Sequence, residues 1–330
     1  MKTAYILSNI GTPEAPTKEA VGPYLTEFLT DPDVIPLPFL LRHLLVRGII
    51  VPFRAPASAA KYAQVWLPEG SPLLVNSKLL QKELQAHLDG PVLLGMQFGN
   101  PSMESAFQEA RAQGCDEIKL VPVYPQYAEA TTGSSVRKAT GLAKKYGFPP
   151  VKVFPSFASA DFYIRPFAAT VKKHLHGNEH VLFSFHGLPE SQVKKGAPGC
   201  LTVANCCDRP IETLGKCYRA QSFATAKALA AALGLSPESW SVSFQSRLGR
   251  AKWIQPYTDD ILKSLPTRGV KRVVVVSPAF VSDCLETLEE LGVEGKDVFF
   301  TAGGQSYELV PCLNGDPGFA KGFAERLRAH

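Results

Sequence analysis

The sequence predicts an α/β protein of two similar lobes, each a parallel sheet flanked by helices, on three observations. Eight short β-branched or aromatic runs alternate with longer stretches of helical periodicity. A G-x-P-E pattern stands behind the first run of each half, at Gly11 and Gly187. The length of 330 residues suits two domains or one large one. The runs cover 4–9, 92–98, 117–123, 151–154, 181–185, 241–244, 270–276 and 297–300. Helical periodicity marks 77–87, 102–112, 162–174, 221–231 and 318–328. Strands joined by helical crossovers pair in parallel, and parallel lobes bind ligands beyond the carboxyl ends of their strands. The expected division is an N-terminal lobe at 1–147 and a C-terminal lobe at 148–330, with the last helix packing back on the first lobe and a ligand cleft between the two.

Composition narrows the function. Hydrophobic residues at 45% and charged residues at 20% describe a folded chain. The net charge of +5 comes from scattered pairs such as Lys144-Lys145 and Lys194-Lys195, without the basic stripe or interleaved aromatics of a nucleic-acid groove. A mild positive balance suits anionic small molecules or an anionic membrane surface. After the first run there is no GxGxxG, and GxxxxGK[ST] and GxSxG are absent, which argues against nucleotide binding and a hydrolase elbow. The short apolar N-terminus meets Gly11 and Pro13 too early for a signal peptide, so a cytoplasmic location is expected.

Segment 34–53, VIPLPFLLRHLLVRGIIVPF, is the most apolar stretch, broken by prolines and by Arg42, His43 and Arg47. It is too interrupted to span a bilayer. Two readings stand: a helix buried beside the core, or an amphipathic lip in the membrane interface with Arg42 and Arg47 at the headgroups.

Cys115, Cys284 and Cys312 are isolated, whereas Cys200, Cys206, Cys207 and Cys217 fall within 18 residues as C-x5-C-C-x9-C. Clustered thiols in a cytosolic chain point to metal ligation. The spacing lacks the C-x2-C knuckles of a zinc ribbon but leaves zinc and a [2Fe-2S] cluster both open.

Two features carry proton or metal chemistry. His186 ends an apolar run in VLFSFHGLPE, where an imidazole titrating near neutrality can exchange protons or bind a metal. In SPAFVSDCLETLEEL, an α-helical wheel places Asp283, Glu286 and Glu290 at 0, about 300 and about 340 degrees, one acidic stripe opposite Leu285 and Leu288. Such carboxylates repel unless solvated, protonated or bridged by a cation.

These residues sit in a chain that resembles the ferrochelatases, which insert ferrous iron into a porphyrin to make haem. The likeness runs in order through SNIGTPEAP at 8–16, GSPL at 70–73, YPQY and TTGSS within 124–135, SFHGLP at 184–189, QSRLGRAKWIQPYTDD at 245–260 and SPAFVSDCLETLEEL at 277–291. The resemblance implies two Rossmann-like lobes of the chelatase type and a lyase that converts protoporphyrin IX and Fe2+ to protohaem with release of two protons. It implies His186 and Glu286 as the catalytic pair facing the substrate iron, with Asp283 and Glu290 continuing a proton or metal path. Arg54 and Ser71 would meet propionates, and Tyr62, Tyr127 and Trp253 would pack on the macrocycle. Gln97 stands where the family commonly has Arg, which removes one propionate anchor. The likeness is to bacterial members with an internal cysteine group, since no Cys follows Cys312, and it favours [2Fe-2S] at Cys200, Cys206, Cys207 and Cys217. It also implies peripheral membrane association through 34–53. A second copy of the chain and neighbouring haem-pathway enzymes are admissible partners. The alternatives are a chelatase for coproporphyrin or another tetrapyrrole, and a non-catalytic tetrapyrrole carrier.

Overall fold

The first strand, β1 (Thr3–Ser8), is buried along almost its whole length, the mark of a strand covered on both faces. It pairs in parallel with β2 (Val92–Leu94) on one side and with β3 (Glu117–Pro122) on the other, and β4 (Lys152–Val153) extends the sheet beyond β3. The strand order is β2-β1-β3-β4. The later half repeats this plan with β5 (His180–His186), β6 (Trp240–Gln245), β7 (Arg272–Val276) and β8 (Ser306–Leu309), in the order β6-β5-β7-β8 and again all parallel. The two-lobed α/β architecture read from the sequence is therefore present as one topology used twice. This computed structural model describes residues 1–197, 199–203, 205–208, 215–247, 249 and 251–330. Leu248 and Arg250 of the 245–260 motif, and 198, 204 and 209–214 of the cysteine window, lie outside the described residues.

Two compact units result. The first comprises Met1–Val123, Glu129–Pro155 and Phe323–His330; the second comprises Tyr124–Ala128 and Ser156–Gly322. In the first, Ala4, Ile6, Ile118 and Leu120 of the sheet pack against Met103, Ala106, Phe107 and Ala139 of the flanking helices. Its C-terminal residues are tied in by buried Lys119, whose Nζ donates to the Leu327 carbonyl at 2.6 Å. That cation meets the negative end of helix Pro317–Ala329. In the second unit, Leu182, Val273 and Val275 pack against Leu262, Leu265, Leu291 and Phe299.

Two expectations change. Residues 297–300 are not a strand: they lie within helix Lys296–Thr301, with Phe299 buried in the core, and the fourth strand of that sheet is Ser306–Leu309. A short apolar run has no periodicity of its own, so the chain around it decides its form. The acidic segment is not α-helical but a π-helix, Glu286–Gly295, running directly into helix Lys296–Thr301.

The repeated G-x-P-E pattern has a packing cause. A Cβ on Gly11, at φ +99°, would overlap the Phe98 carbonyl, and a Cβ on Gly187 would stand 2.6 Å from the Gln245 carbonyl. Each glycine follows the first strand of its sheet and lets the chain cross close to a neighbouring backbone.

Segment 34–53 folds as helix Phe39–Leu45, π-turn Val46–Ile50 and the start of helix Val51–Val65. Phe39, Leu40 and Phe53 are 63%, 72% and 78% exposed, and Leu41, Leu44 and Ile49 are exposed beside them, so a buried helix is excluded. Arg42 departs from expectation. It is buried, donating to the Leu37 carbonyl at 2.6 Å, so it closes the 35–37 loop instead of facing outward. Among the described residues no helix is long and apolar enough to cross a membrane.

Candidate active site

In a sheet ordered β6-β5-β7-β8, the chain leaves β5 and β7 in opposite directions, and a crevice forms at their carboxyl ends. His186 is the last residue of β5, and the segment carrying Asp283, Glu286 and Glu290 follows β7. The topology thus brings together the two features that the sequence marked separately.

The His186 ring is oriented by its own backbone. Nδ1 lies 2.6 Å from the Gly187 carbonyl oxygen. A carbonyl only accepts, so Nδ1 carries the hydrogen and the neutral ring keeps its lone pair on Nε2. Phe280 packs against the ring edge-on, with centroids 6.3 Å apart. The peptide joining His186 to Gly187 is held at both ends: Tyr218 OH donates to the His186 carbonyl at 2.7 Å, and Gly187 N–H donates to the Gln245 carbonyl at 2.8 Å.

Glu290 is the most constrained carboxylate facing this histidine. It accepts from Ser246 N at 2.7 Å and from Ser246 Oγ at 2.5 Å, with Gln245 Nε2 at 3.5 Å. Burial raises its pKa, the Ser246 hydroxyl and His186 pull it down, and Glu286 pushes it back up; the net direction is upward. His186, Glu286 and Glu290 therefore interact as one electrostatic group. Gln245 Nε2 also donates to the Glu286 carbonyl at 2.8 Å, fixing the first turn of the π-helix to the end of β6. In a π-helix each hydrogen bond spans five residues, so Glu286, Glu290 and Glu294 follow one another along the same side. Glu290 and Glu294 line a cavity of about 440 Å³ whose wall also carries Asp259 and Asp297.

Asp283 behaves differently. It precedes the π-helix and is buried, and its carboxylate accepts from Thr287 Oγ1 at 3.0 Å, Asn314 Nδ2 at 2.8 Å and Cys312 N at 3.2 Å. Its N–H donates to Asn314 Oδ1 at 2.8 Å. These bonds make it the anchor of the turn that starts the helix.

The other predicted contacts divide between the units. In the first, Arg54 is half-buried with its pKa lowered by burial; Ser71 is the N-cap of helix Pro72–Gln85, its hydroxyl accepting from Thr12 Oγ1 at 2.7 Å; buried Tyr62 packs edge-on against Trp66. Gln97 is fully buried, donating to the Ala130 carbonyl at 3.2 Å and accepting from Ser135 Oγ at 3.2 Å. In the second, Tyr127 accepts from Lys216 Nζ at 3.3 Å, and Trp253 pairs with Pro189 and lies over Gly187, where a Cβ would meet its ring at 3.3 Å.

Cys200, Cys206 and Cys217 are buried and Cys207 is half-buried; none of the four is in a disulfide. They form one mutually bonded group: Cys200 lies 3.2 Å from Cys217 and Cys206 3.9 Å from Cys207, Cys207 also bonds Cys217 and Cys200 bonds Cys206, and Arg219 donates to Cys207 Sγ at 3.0 Å. The Cys217 sulfur raises the pKa of Cys207, with burial adding to it. Among the described residues no three His, Cys, Asp or Glu side chains are arranged to hold a single metal ion.

Sequence reasoning missed Gln245, Ser246, Tyr218 and Asn314. The first two stood inside the QSRLG motif, directly after a strand run, and that position was the available signal. Tyr218 and Asn314 act on residues 32 and 31 positions away, which no local pattern reveals.

Comparison with known proteins gives a consistent match. The family profile described as Ferrochelatase covers residues 2–330. A ferrochelatase of Bdellovibrio bacteriovorus is 46% identical over 335 aligned positions, spanning 99% of each chain. One from Azotobacter vinelandii is 45% identical over 332, spanning 98% of each. Among solved structures, SirB from Bacillus subtilis with Fe3+ superposes with a TM-score of 0.55 at 13% identity, covering 99% of this chain and 95% of SirB. At that identity the likeness is one of fold.

Proposed function

We propose, from the premise that this chain belongs to the ferrochelatase family, that it inserts Fe2+ into protoporphyrin IX, giving protohaem and two protons. The observation that carries the reading is His186, with its Nε2 lone pair unspent, in electrostatic contact with Glu290, which in turn lines a cavity that also carries Glu294, Asp259 and Asp297. Metallation replaces two pyrrole N–H bonds by metal–nitrogen bonds, so the site must accept two protons and admit a cation. His186 Nε2 takes a proton from a pyrrole nitrogen and gives it up through Glu290 and Glu294 to solvent, and the regenerated Nε2 lone pair then takes the second pyrrole proton by the same route. The porphyrin nitrogens complete the iron's coordination, so His186 and Glu286 need only face the substrate ion. Asp283 serves the path by anchoring Glu286 and Glu290 through the first turn.

Binding contacts supply the strain that exposes the in-plane lone pairs of the ring. Arg54 suits a propionate, because it is half-buried, permanently charged and without a carboxylate partner among the described residues. Ser71 adds a helix N-terminus, which favours an anionic group. Tyr62, Tyr127 and Trp253 offer ring faces to the macrocycle. Neutral, buried Gln97 leaves fewer cations than a four-carboxylate porphyrin calls for, which favours protoporphyrin over coproporphyrin. Titration with protoporphyrin followed by anaerobic addition of Fe2+ tests the reading: haem must form catalytically, whereas stoichiometric binding without metallation supports a carrier.

The exposed side chains of 34–53 suit docking on an anionic membrane, where poorly soluble protoporphyrin is transferred. Replacing Phe39 and Leu40 by Ser is expected to weaken binding to anionic vesicles by about tenfold or more, each apolar side chain withdrawn from water being worth about 1.5–3 kcal/mol. Co-sedimentation measures this, and unchanged binding removes the membrane role.

Four mutually close thiols suit a [2Fe-2S] cluster, in which four cysteines serve two irons, and the likeness to bacterial ferrochelatases with an internal cysteine group favours it over zinc. Cys200, Cys206, Cys207 and Cys217 would hold it, and when bound it supplies a structural clamp or a redox-responsive group, since iron insertion requires no electron transfer. Freshly purified protein is expected to be coloured and to contain iron and acid-labile sulfide. A colourless protein loaded with zinc contradicts the assignment.

A further inference from the structure

Four consecutive residues, Lys216 to Arg219, each touch a different part of this apparatus. Lys216 Nζ donates to Tyr127 OH at 3.3 Å and lies 4.6 Å from the centre of its ring. Cys217 Sγ is 3.2 Å from Cys200 Sγ. Tyr218 OH donates to the His186 carbonyl at 2.7 Å. Arg219 donates to Cys207 Sγ at 3.0 Å and, through a second terminal nitrogen, to the Gln255 carbonyl at 3.2 Å, two residues beyond Trp253. Its guanidinium carbon also sits 4.7 Å from the Phe223 ring centre.

The segment is stiff. Cys217 is the N-cap of helix Tyr218–Leu233, so Tyr218 and Arg219 form the helix's first turn and move with the cysteine as one body. That body holds one end of the His186–Gly187 peptide; the Gln245 carbonyl holds the other. The acceptor of His186 Nδ1–H, Gly187 O, belongs to the next peptide, so a tilt of the His186–Gly187 peptide moves the ring's Cα and its acceptor's residue together and resets where Nε2 points.

We propose that Tyr218 is a positioning residue for His186 and that the cysteine site acts on metallation through it. The proposal rests on the reading that His186 takes the pyrrole proton. Disturbing the thiols moves Cys217, the helix start follows, and the hydroxyl drags the His186 carbonyl out of register. The cysteines thereby bear on the reaction mechanically, without carrying electrons or touching the porphyrin.

The test uses the full chain labelled with 15N-histidine and compares Tyr218→Phe, Arg219→Gln and Cys200→Ser with wild type; His186→Ala assigns the His186 signals among the seven histidines. Tyr218→Phe is expected to lower kcat by about tenfold or more with KM for protoporphyrin unchanged, as small misplacements of a reacting group do. The same variant, and Cys200→Ser, must shift the His186 ring signals while the remaining histidines stay in place. If Tyr218→Phe does not fold, Arg219→Gln must reproduce the His186 shift. Wild-type His186 signals in every folded variant overturn the proposal. A shift in Tyr218→Phe but not in Cys200→Ser overturns the cysteine link. The ring signals are read without turnover, so these outcomes are separate from failure of the ferrochelatase reading, which retained activity in His186→Ala would reveal.

Discussion

Replacing His186 by alanine is expected to slow Fe2+ insertion by about 10²–10⁴-fold, the usual contribution of a positioned proton acceptor, while protoporphyrin still binds. The expectation follows from the ring's surroundings. Its Nδ1–H is spent on the Gly187 carbonyl, Phe280 closes one side, and Nε2 has no hydrogen-bond partner among the described residues. A group held so, in electrostatic contact with Glu290, is arranged to take a proton and release it outward. Trp253, assigned to the macrocycle, lies over Gly187 and is held by its pairing with Pro189, which the His186 side chain does not enter, so fluorescence titration of the variant with protoporphyrin should give a dissociation constant near that of wild type. Loss of binding together with turnover would make His186 a binding residue.

Glu290→Gln should lower kcat and at the same time raise thermal stability. Burial is the largest influence on this carboxyl and raises its pKa, and the net direction stays upward despite the Ser246 hydroxyl and His186. A carboxyl whose pKa is raised on folding binds its proton more tightly in the native protein than in the unfolded chain. Its favourable contribution is present at acid pH, below the unfolded value, and is lost as pH rises through the folded value. At neutral pH the ionised group therefore weighs against folding. Glutamine removes that cost while still accepting from Ser246 N and donating to Ser246 Oγ. The variant's Tm advantage should grow as pH rises from the ordinary carboxylate range and vanish in acid. The relay loses its titratable member, so kcat should fall by about tenfold or more. Equal Tm values across the pH range would contradict the assignment of Glu290 as a buried, strained carboxylate kept for function.

Much of this site was legible in the sequence because its residues stand at the ends of elements. His186 closes an apolar strand run, and the Gly187 pattern behind it repeats Gly11 for a reason the backbone supplies: in each sheet the chain must pass a neighbouring strand end too closely for a side chain. The acidic series was legible as a series but not as a π-helix. Residues four apart share a face in α- and π-helices alike, so Glu286 and Glu290 give the same pattern in either. The same wheel put Asp283 on the acidic face, whereas hydrogen bonds to Thr287, Asn314 and Cys312 N–H turn it inward. Residues 297–300 read as a strand because Val, Phe and Phe suit either element once buried. Arg42 read as a headgroup contact because charge usually faces water, yet the 35–37 loop offers it carbonyls at closer range. Tyr218 and Asn314 depend on the topology and became visible only with the fold.

The central claim is that this site metallates protoporphyrin and does not merely hold it. The most direct measurement presents Fe2+ anaerobically to the purified protein with protoporphyrin IX and coproporphyrin side by side, following loss of porphyrin fluorescence, formation of haem and release of protons. Repeated turnover of protoporphyrin, with two protons released per haem and slower conversion of coproporphyrin, is the predicted result. Stoichiometric porphyrin binding with no haem formed, or faster conversion of coproporphyrin, would contradict it.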